Sequence, residues 1–363
     1  MTDTTIAAIA ARVAECAARR QALRIRAGGT KDFYGARAEG ETLDVSACRG
    51  IVAYQPKELV LTVRAGTPLE EVEAALAAER QMLAFEPPRF GSEAARATIG
   101  GTVAAGLSGP RRPYAGAVRD FVLGTRIVNG KGEDLAFGGR VIKNVAGYDV
   151  SRLMTGALGT LGVLTEISFK VLPIPAAETT LAFEMNEEDG IQAVNRWAGQ
   201  PLPLSATAWE GGRLCVRLSG APSAIAAAKR KMGGEEIDAA AYWRDLRDHR
   251  LAFFAGSAPL WRLSVPQTAA PLELPQPMLV EWGGGLRWLR GDADAFAIRS
   301  TVERIGGHAT LFRGGDKSAG VFHPLAPAVE KIHRRLKAAF DPAGILNPGR
   351  FYDFPMDPRP ASS

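Results

Sequence analysis

The chain has 363 residues, 46% of them hydrophobic and 23% charged, the balance of a soluble globular protein with room for two domains. No run reaches the roughly 18 apolar residues that span a bilayer, and the Ala-rich N-terminus reads as an amphipathic helix, not a secretory leader. The net charge of +5 and pI near 9.2 come from scattered Lys and Arg, which excludes a nucleic-acid footprint, and Cys16, Cys48 and Cys215 form no CxxC pair for a disulfide framework, zinc or iron–sulfur site.

In chain order, Leu23 to Ala27 predicts a short strand ended by Gly28-Gly29-Thr30, with strands following at 42–45, 51–54 and 59–65. Pro68 opens a helix through Glu79, with acidic residues in its first turn. The Gly-rich stretch 90–116 is too punctuated for a regular helix, and Phe121 to Val128 is a strand closed by the hairpin signal Asn129-Gly130. Leu161 to Leu172 alternates apolar positions to end the first half, and Pro173 and Pro175 mark a boundary. Beyond it come strands near 180–184, 206–209, 213–218, 261–265, 278–282 and 286–290, and helices near 187–198, 222–232, 240–254 and 292–305. That order predicts an antiparallel sheet with helices on one face. A last helix, 326–340, ends in Asp341-Pro342-Ala343-Gly344, and a tail rich in Pro and Ser follows.

Three glycine-rich constellations carry the chemistry. In the first, Arg26-Ala27-Gly28-Gly29-Thr30-Lys31-Asp32 follows a strand, and two glycines let successive N–H groups point into one concavity that suits phosphate oxygens. In the second, Thr98 to Gly109, side chains are small enough for backbone to approach another segment or a flat ligand. The third, Gly156 to Thr165, is a glycine-spaced loop feeding a strand. No G-x-G-x-x-G lies between a strand and a helix, so the Rossmann fingerprint is absent.

This ordered set resembles the FAD-binding domain of the vanillyl-alcohol-oxidase/p-cresol-methylhydroxylase-type flavoproteins. The matching segments are Arg26–Asp32, Ala97–Gly109, Arg119–Gly124, Lys143–Leu153 and Gly159–Glu166, with Phe340–Gly349 similar to the closing motif of FAD-linked oxidases. Within the family, Gly106–Pro113, Lys143–Asp149 and Gly307–Arg313 look like the smaller FAD-binding subunits of bacterial glycolate dehydrogenases, also called glycolate oxidases. The resemblance implies an α+β architecture. A two-subdomain FAD-binding domain (1–175) would be followed by a smaller α+β cap with an antiparallel sheet (176–325), and a C-terminal helix and loop (326–363) would return to the FAD domain. It implies oxidation of glycolate to glyoxylate, a larger FAD-binding subunit and an iron–sulfur subunit as partners, and electrons passed to the respiratory chain. The setting expected is cytoplasmic, with membrane contact only through the complex.

Carried over by resemblance, Ala27, Gly28, Gly29, Thr30 and Lys31 would hold the pyrophosphate. Thr98, Gly100, Gly101, Gly106 and Ser108 would line the flavin side, Gly159, Gly162 and Val163 would supply backbone contacts, and Asn347 and Pro348 would lie near the isoalloxazine. Neither His nor Cys stands where the family attaches flavin covalently, so FAD is expected to be non-covalent. The family's H-x-G-D-G-N-x-H motif is missing, with His308 and His323 fifteen apart, so no metal is expected.

A hydroxy-acid oxidant needs a base for the hydroxyl and a cation for the carboxylate. Arg111 and Arg112, in a Gly/Pro loop, are the cation candidates, and an exposed or partner-facing loop is the equal alternative. His323, His308 and, less well, Tyr148 are the base candidates, against a plain loop-capping role for His323. His249 and His333 sit in charged helical stretches and are expected to be solvated, while Trp282 and Trp288 read as core or interface aromatics. Two other functions stay open: a stand-alone D-lactate-type dehydrogenase, and a non-catalytic structural or electron-relay flavin subunit.

Overall fold

The computed structural model describes residues 4–91, 95–139 and 149–354. The N-terminal half is built on a five-stranded antiparallel sheet in the order 51–55, 60–64, 163–170, 122–128, 134–138. Its middle strand, Val163–Lys170, is covered on both faces, which is why it is rich in Val, Ile and Phe and shows little polar alternation. The helix Leu69–Ala78 places Glu70 and Glu71 at its positive N-terminal end and buries Leu69, Val72 and Leu76 against Leu61, Val63 and Phe169. The first helix, Thr4–Arg19, buries Ile6, Ile9, Val13 and Cys16 at helical spacing, against Leu23, Leu43, Val128 and Val163. A parallel pair, Leu23–Arg26 with Glu41–Asp44, completes this half.

The glycine-rich stretch departs from its prediction, because Ile99–Ala105 is a regular helix. Two glycines lower its propensity by about 1 kcal/mol each. The Thr98 hydroxyl caps it by accepting from Gly101 N at 3.3 Å, Gly106 ends it at φ +65°, and Ile99 and Val103 are fully buried. Glycine at 100 lets the helix lie against the sheet, since a Cβ there would stand 2.8 Å from that of Ala65. The hairpin after Val128 also differs. Val128 pairs with Asp134, so five residues form the loop, and the Asn129 side chain accepts from Lys131 N and Glu133 N.

The C-terminal half carries an eight-stranded antiparallel sheet in the order 235–237, 177–184, 213–220, 204–210, 278–281, 286–290, 260–264, 308–313. Strands 235–237 and 308–313 escape sequence reading; in His308–Arg313 all four inner residues are buried, so polar alternation is lost. Alternate residues feed two cores. Leu181, Val216, Leu263, Leu289 and Leu311 pack beneath helices 187–198, 222–232 and 295–303. Ala206, Ala208, Leu279, Trp288 and Phe312 face the N-terminal half, meeting Tyr34, Leu107 and Leu158. Helices on one face only is therefore a partial description. The helix Ala240–Arg247 packs on the other face through Trp243 and Leu246, and it stops at Arg247 instead of running to residue 254. No helix among the described residues is long and apolar enough to cross a membrane.

Among the contacts that tie the halves together, two involve charged groups and the returning chain. Glu86 accepts from Arg111 N and Arg217 Nη2, both at 2.9 Å, while Arg111 Nη2 donates to Glu178 at 2.7 Å. After the helix Pro327–Phe340 the chain returns, with Leu23 N donating to Ile345 O at 2.7 Å and Asn347 N to Leu23 O at 2.9 Å.

Candidate cofactor cleft and the pocket beside it

The glycine loops converge on one cleft. Ala27, Gly28, Gly29, Thr30, Lys31, Thr98, Gly100, Gly101, Gly159, Gly162 and Asn347 all line it, joined by Arg350, which sequence reading missed. The N–H groups of Gly28, Gly29, Thr30 and Lys31 have no acceptor among the described residues, and neither do those of Gly159 and Gly162. Orphan backbone donors are rare in folded proteins unless water or a ligand meets them. Four in succession make an anion nest. Gly28 is required by close approach, since a Cβ would lie 1.7 Å from the Arg96 carbonyl oxygen, and Gly29 sits at φ +71°. Burial lowers the Lys31 ammonium to about pKa 8, partly opposed by Asp248, and among the described residues its one hydrogen bond is to Thr30 Oγ1 at 3.3 Å. Arg350 donates to Lys31 O at 2.9 Å and adds a second cation to the wall.

Asn347 closes the cleft from the C-terminal side. Its Oδ1 accepts from Ile25 N and its Nδ2 donates to Leu158 O, each at 2.7 Å. Its φ of +43° explains asparagine here, a residue that tolerates the left-handed region. Neither His nor Cys is among the cleft residues described, and Cys48 is buried with its thiol on Thr165 O.

Four carried-over residues lie outside this lining. Gly106 ends its helix against Gly156, where a Cβ would meet Gly156 Cα at 2.8 Å. Ser108 Oγ accepts from Val118 N, Val163 is buried under the first helix, and Pro348 lines a separate cavity with His333, Lys337 and Phe351. Of the candidate cations, Arg111 is occupied by Glu86 and Glu178, whereas Arg112 lies 4.3 Å from the Trp282 ring centroid. His323 does not line the cleft; its Nδ1 accepts from Ala309 N at 3.4 Å and its ring lies 6.5 Å from that of His308. Tyr148 and most of the Lys143–Asp149 motif lie outside the described residues; Asp149 caps the helix Val150–Met154.

Beside the cleft, across Leu107 and Leu158, is a pocket of about 20 Å³ bounded by Phe90, Trp288, Phe312, His249, Arg262 and Glu281. His249 is not solvated: its ring stacks on Phe254 at 3.9 Å and meets Trp288 edge-on at 4.5 Å. Burial, with Arg313 and Arg262 nearby, holds its pKa well below the usual value, so the imidazole is neutral. His333 likewise packs against Phe351 and Tyr352. Three of the pocket's polar groups, His249, Arg262 and Glu281, were not singled out as site residues by the sequence, because no spacing marks them. They meet through sheet register, with Arg262 directly opposite Trp288 and Glu281 accepting from Trp288 Nε1 at 2.7 Å.

Burial pushes the Glu281 carboxyl up to about 7, against the Trp288 hydrogen bond and Arg262, which lower it. The folded chain thus holds this proton up to about pH 7, whereas the unfolded carboxyl releases it near its ordinary value of 4.5. Stability conferred by the proton is present below that value and is lost as pH rises through 7, by at most about 3 kcal/mol. Glu281→Gln is expected to remove this fall, read as the difference in urea midpoint between pH 5 and pH 8. An equal difference in both proteins would show that Glu281 is not its source.

A family model for an FAD binding domain matches residues 2–138, and one for the C-terminal domain of FAD linked oxidases matches residues 323–351. The glycolate oxidase subunit GlcE of Escherichia coli (strain K12) is 49% identical over 330 residues, 91% of this chain and 92% of that protein. A D-lactate dehydrogenase of Anaerostipes hadrus is 34% identical over 156 residues, covering 43% of this chain and 32% of its own length. Among solved structures, p-cresol methylhydroxylase with substrate bound superposes with a TM-score of 0.70 at 17% identity, over 96% of this chain and 87% of that one, a likeness of fold. With a cleft of unpaired backbone donors where those models match, and near-full-length similarity, the chain belongs to the glycolate oxidase subunit GlcE family of FAD-linked oxidoreductases.

Proposed function

We propose that this chain is the FAD-binding subunit of a glycolate dehydrogenase complex, oxidising glycolate to glyoxylate and passing electrons towards the respiratory chain. The observation that carries the reading is the run of four unpaired N–H groups, Gly28 to Lys31, opening on a glycine-walled cleft. These residues fit FAD. The nest and Lys31 would hold the diphosphate, the bare backbone at Gly100, Gly101 and Gly159 would admit a flat ring system, and Asn347 would fix the C-terminal wall. The flavin supplies a two-electron acceptor when bound. The chain's own residues bind and orient it and exclude water. Attachment is non-covalent, because the described lining offers no His or Cys nucleophile.

In this reading residues 1–175 form the FAD-binding domain, 176–325 the cap over its substrate side, and 326–363 the returning segment. The partners are a larger FAD-binding subunit and an iron–sulfur subunit, and the complex works on the cytoplasmic side, touching the membrane only through its assembly. An affinity-tagged chain produced in its native cell is expected to bring down two further subunits, one with bound iron and acid-labile sulfide. A chain that comes from that cell without those subunits would overturn the complex in favour of a stand-alone dehydrogenase.

A further inference from the structure

Around the pocket beside the cleft, nearly every arginine is already matched. Arg111 pairs with Glu86 and Glu178, Arg217 with Glu86, and Arg247 with Asp248. Arg262 differs. Its guanidinium has no carboxylate within 4 Å and no hydrogen bond among the described residues, and its packing partner is the Trp282 ring, 5.2 Å away. Burial lowers its pKa, with Tyr34 and Glu281 opposing. A half-buried guanidinium facing a pocket without an anion marks the position as one that a ligand completes.

Across the same pocket, His249 presents a second incomplete group. Its Nδ1 is buried with no hydrogen-bond partner among the described residues, in a ring clamped by Phe254, Trp288 and Phe90. The backbone is held at φ +54°, the left-handed region that a non-glycine residue occupies at a cost of order 1–3 kcal/mol. The two groups are chemically complementary to one small molecule, a cationic fork for a carboxylate and a neutral ring nitrogen for a hydroxyl proton.

We propose that Arg262 and His249 form the anchoring subsite for the substrate anion, a short 2-hydroxy carboxylate that pairs with Arg262 and donates its hydroxyl hydrogen bond to His249 Nδ1. This rests on the reading of the chain as a glycolate dehydrogenase subunit. The aromatic walls, Phe90, Trp288 and Phe312, favour the shortest members of that class. Arg262 is thereby the carboxylate partner that Arg111, spent on Glu86 and Glu178, is not.

The test is calorimetric titration of the purified full-length chain, kept chemically reduced and anaerobic so that glycolate binds without being oxidised. Oxalate probes the carboxylate partner and glycolate probes both groups. Arg262→Met is expected to weaken oxalate about 50-fold, as truncation of one partner of a buried charge pair does, with Arg262→Lys in between. His249→Asn, which tolerates the left-handed backbone, is expected to weaken glycolate about tenfold and leave oxalate within twofold. Unchanged oxalate affinity in Arg262→Met, or equal loss of both ligands in His249→Asn, would overturn the assignment. Calorimetry reads oxalate with or without flavin. A wild-type chain that binds oxalate through Arg262 but carries no FAD would overturn the functional reading and leave the subsite standing.

Discussion

A Gly28→Ala chain is expected to fold and yet bind FAD at least about a hundredfold more weakly, a loss near 3 kcal/mol. The new Cβ would stand 1.7 Å from the Arg96 carbonyl oxygen and 2.8 Å from its carbon, atoms of backbone that cannot swing aside as a side chain would. The loop must therefore move, and with it the four N–H groups of the nest. Gly29→Val should act in the same direction through the left-handed φ of +71°, although its steric neighbour is the movable Arg26 side chain. Gly211→Ala is the control, because it shares a left-handed φ of +58° but has nothing within 4 Å of its Cβ. The flavin-to-protein absorbance ratio reads the effect, and circular dichroism verifies the fold. Full flavin occupancy in Gly28→Ala would remove the nest from the account.

The second large effect is expected at Asp341. This carboxylate is fully buried and accepts from Leu346 N at 2.7 Å, Ile345 N at 3.1 Å and Lys337 Nζ at 2.6 Å. Lys337 also donates to Thr160 O and Leu346 O, so one ion pair pins the last helix, the returning segment and the third glycine loop. Burial lowers the Lys337 pKa while Asp341 opposes that. Asp341→Ala leaves an uncompensated buried ammonium and two orphan N–H groups, a loss of about 3–5 kcal/mol. Asn347, six residues on, would lose its fixed position over the cleft, so flavin retention should fall together with the urea midpoint. Asp341→Asn keeps an acceptor and should cost less. A midpoint unchanged in Asp341→Ala would mean that the closing motif does not hold the C-terminus.

Much of this could be read from the sequence, for reasons that differ by residue. The helices 187–198 and 222–232 emerge with the predicted bounds because each has local punctuation, the Asn186 side chain capping Asp189 N and Pro222 at the first position. The convergence of residues 27–31, 98–101 and 159–162 was legible because glycine reports close backbone approach directly. The helix Ile99–Ala105 was not, since its glycines lower local propensity and only burial of Ile99 and Val103 against the sheet outweighs them. The fate of Arg111 was equally hidden, depending on Glu86 and Glu178 from two other segments. His249, Arg262 and Glu281 come from a loop and two strands whose register alone gathers them, so no motif announces them.

The measurement that bears most directly on the account is the anaerobic visible spectrum of the purified chain before and after glycolate. The purified chain is expected to show a bound-flavin spectrum that glycolate bleaches. A colourless chain, or flavin bands that glycolate leaves unchanged, would contradict it, the first by removing the cofactor from this cleft and the second by moving the chemistry to a partner subunit.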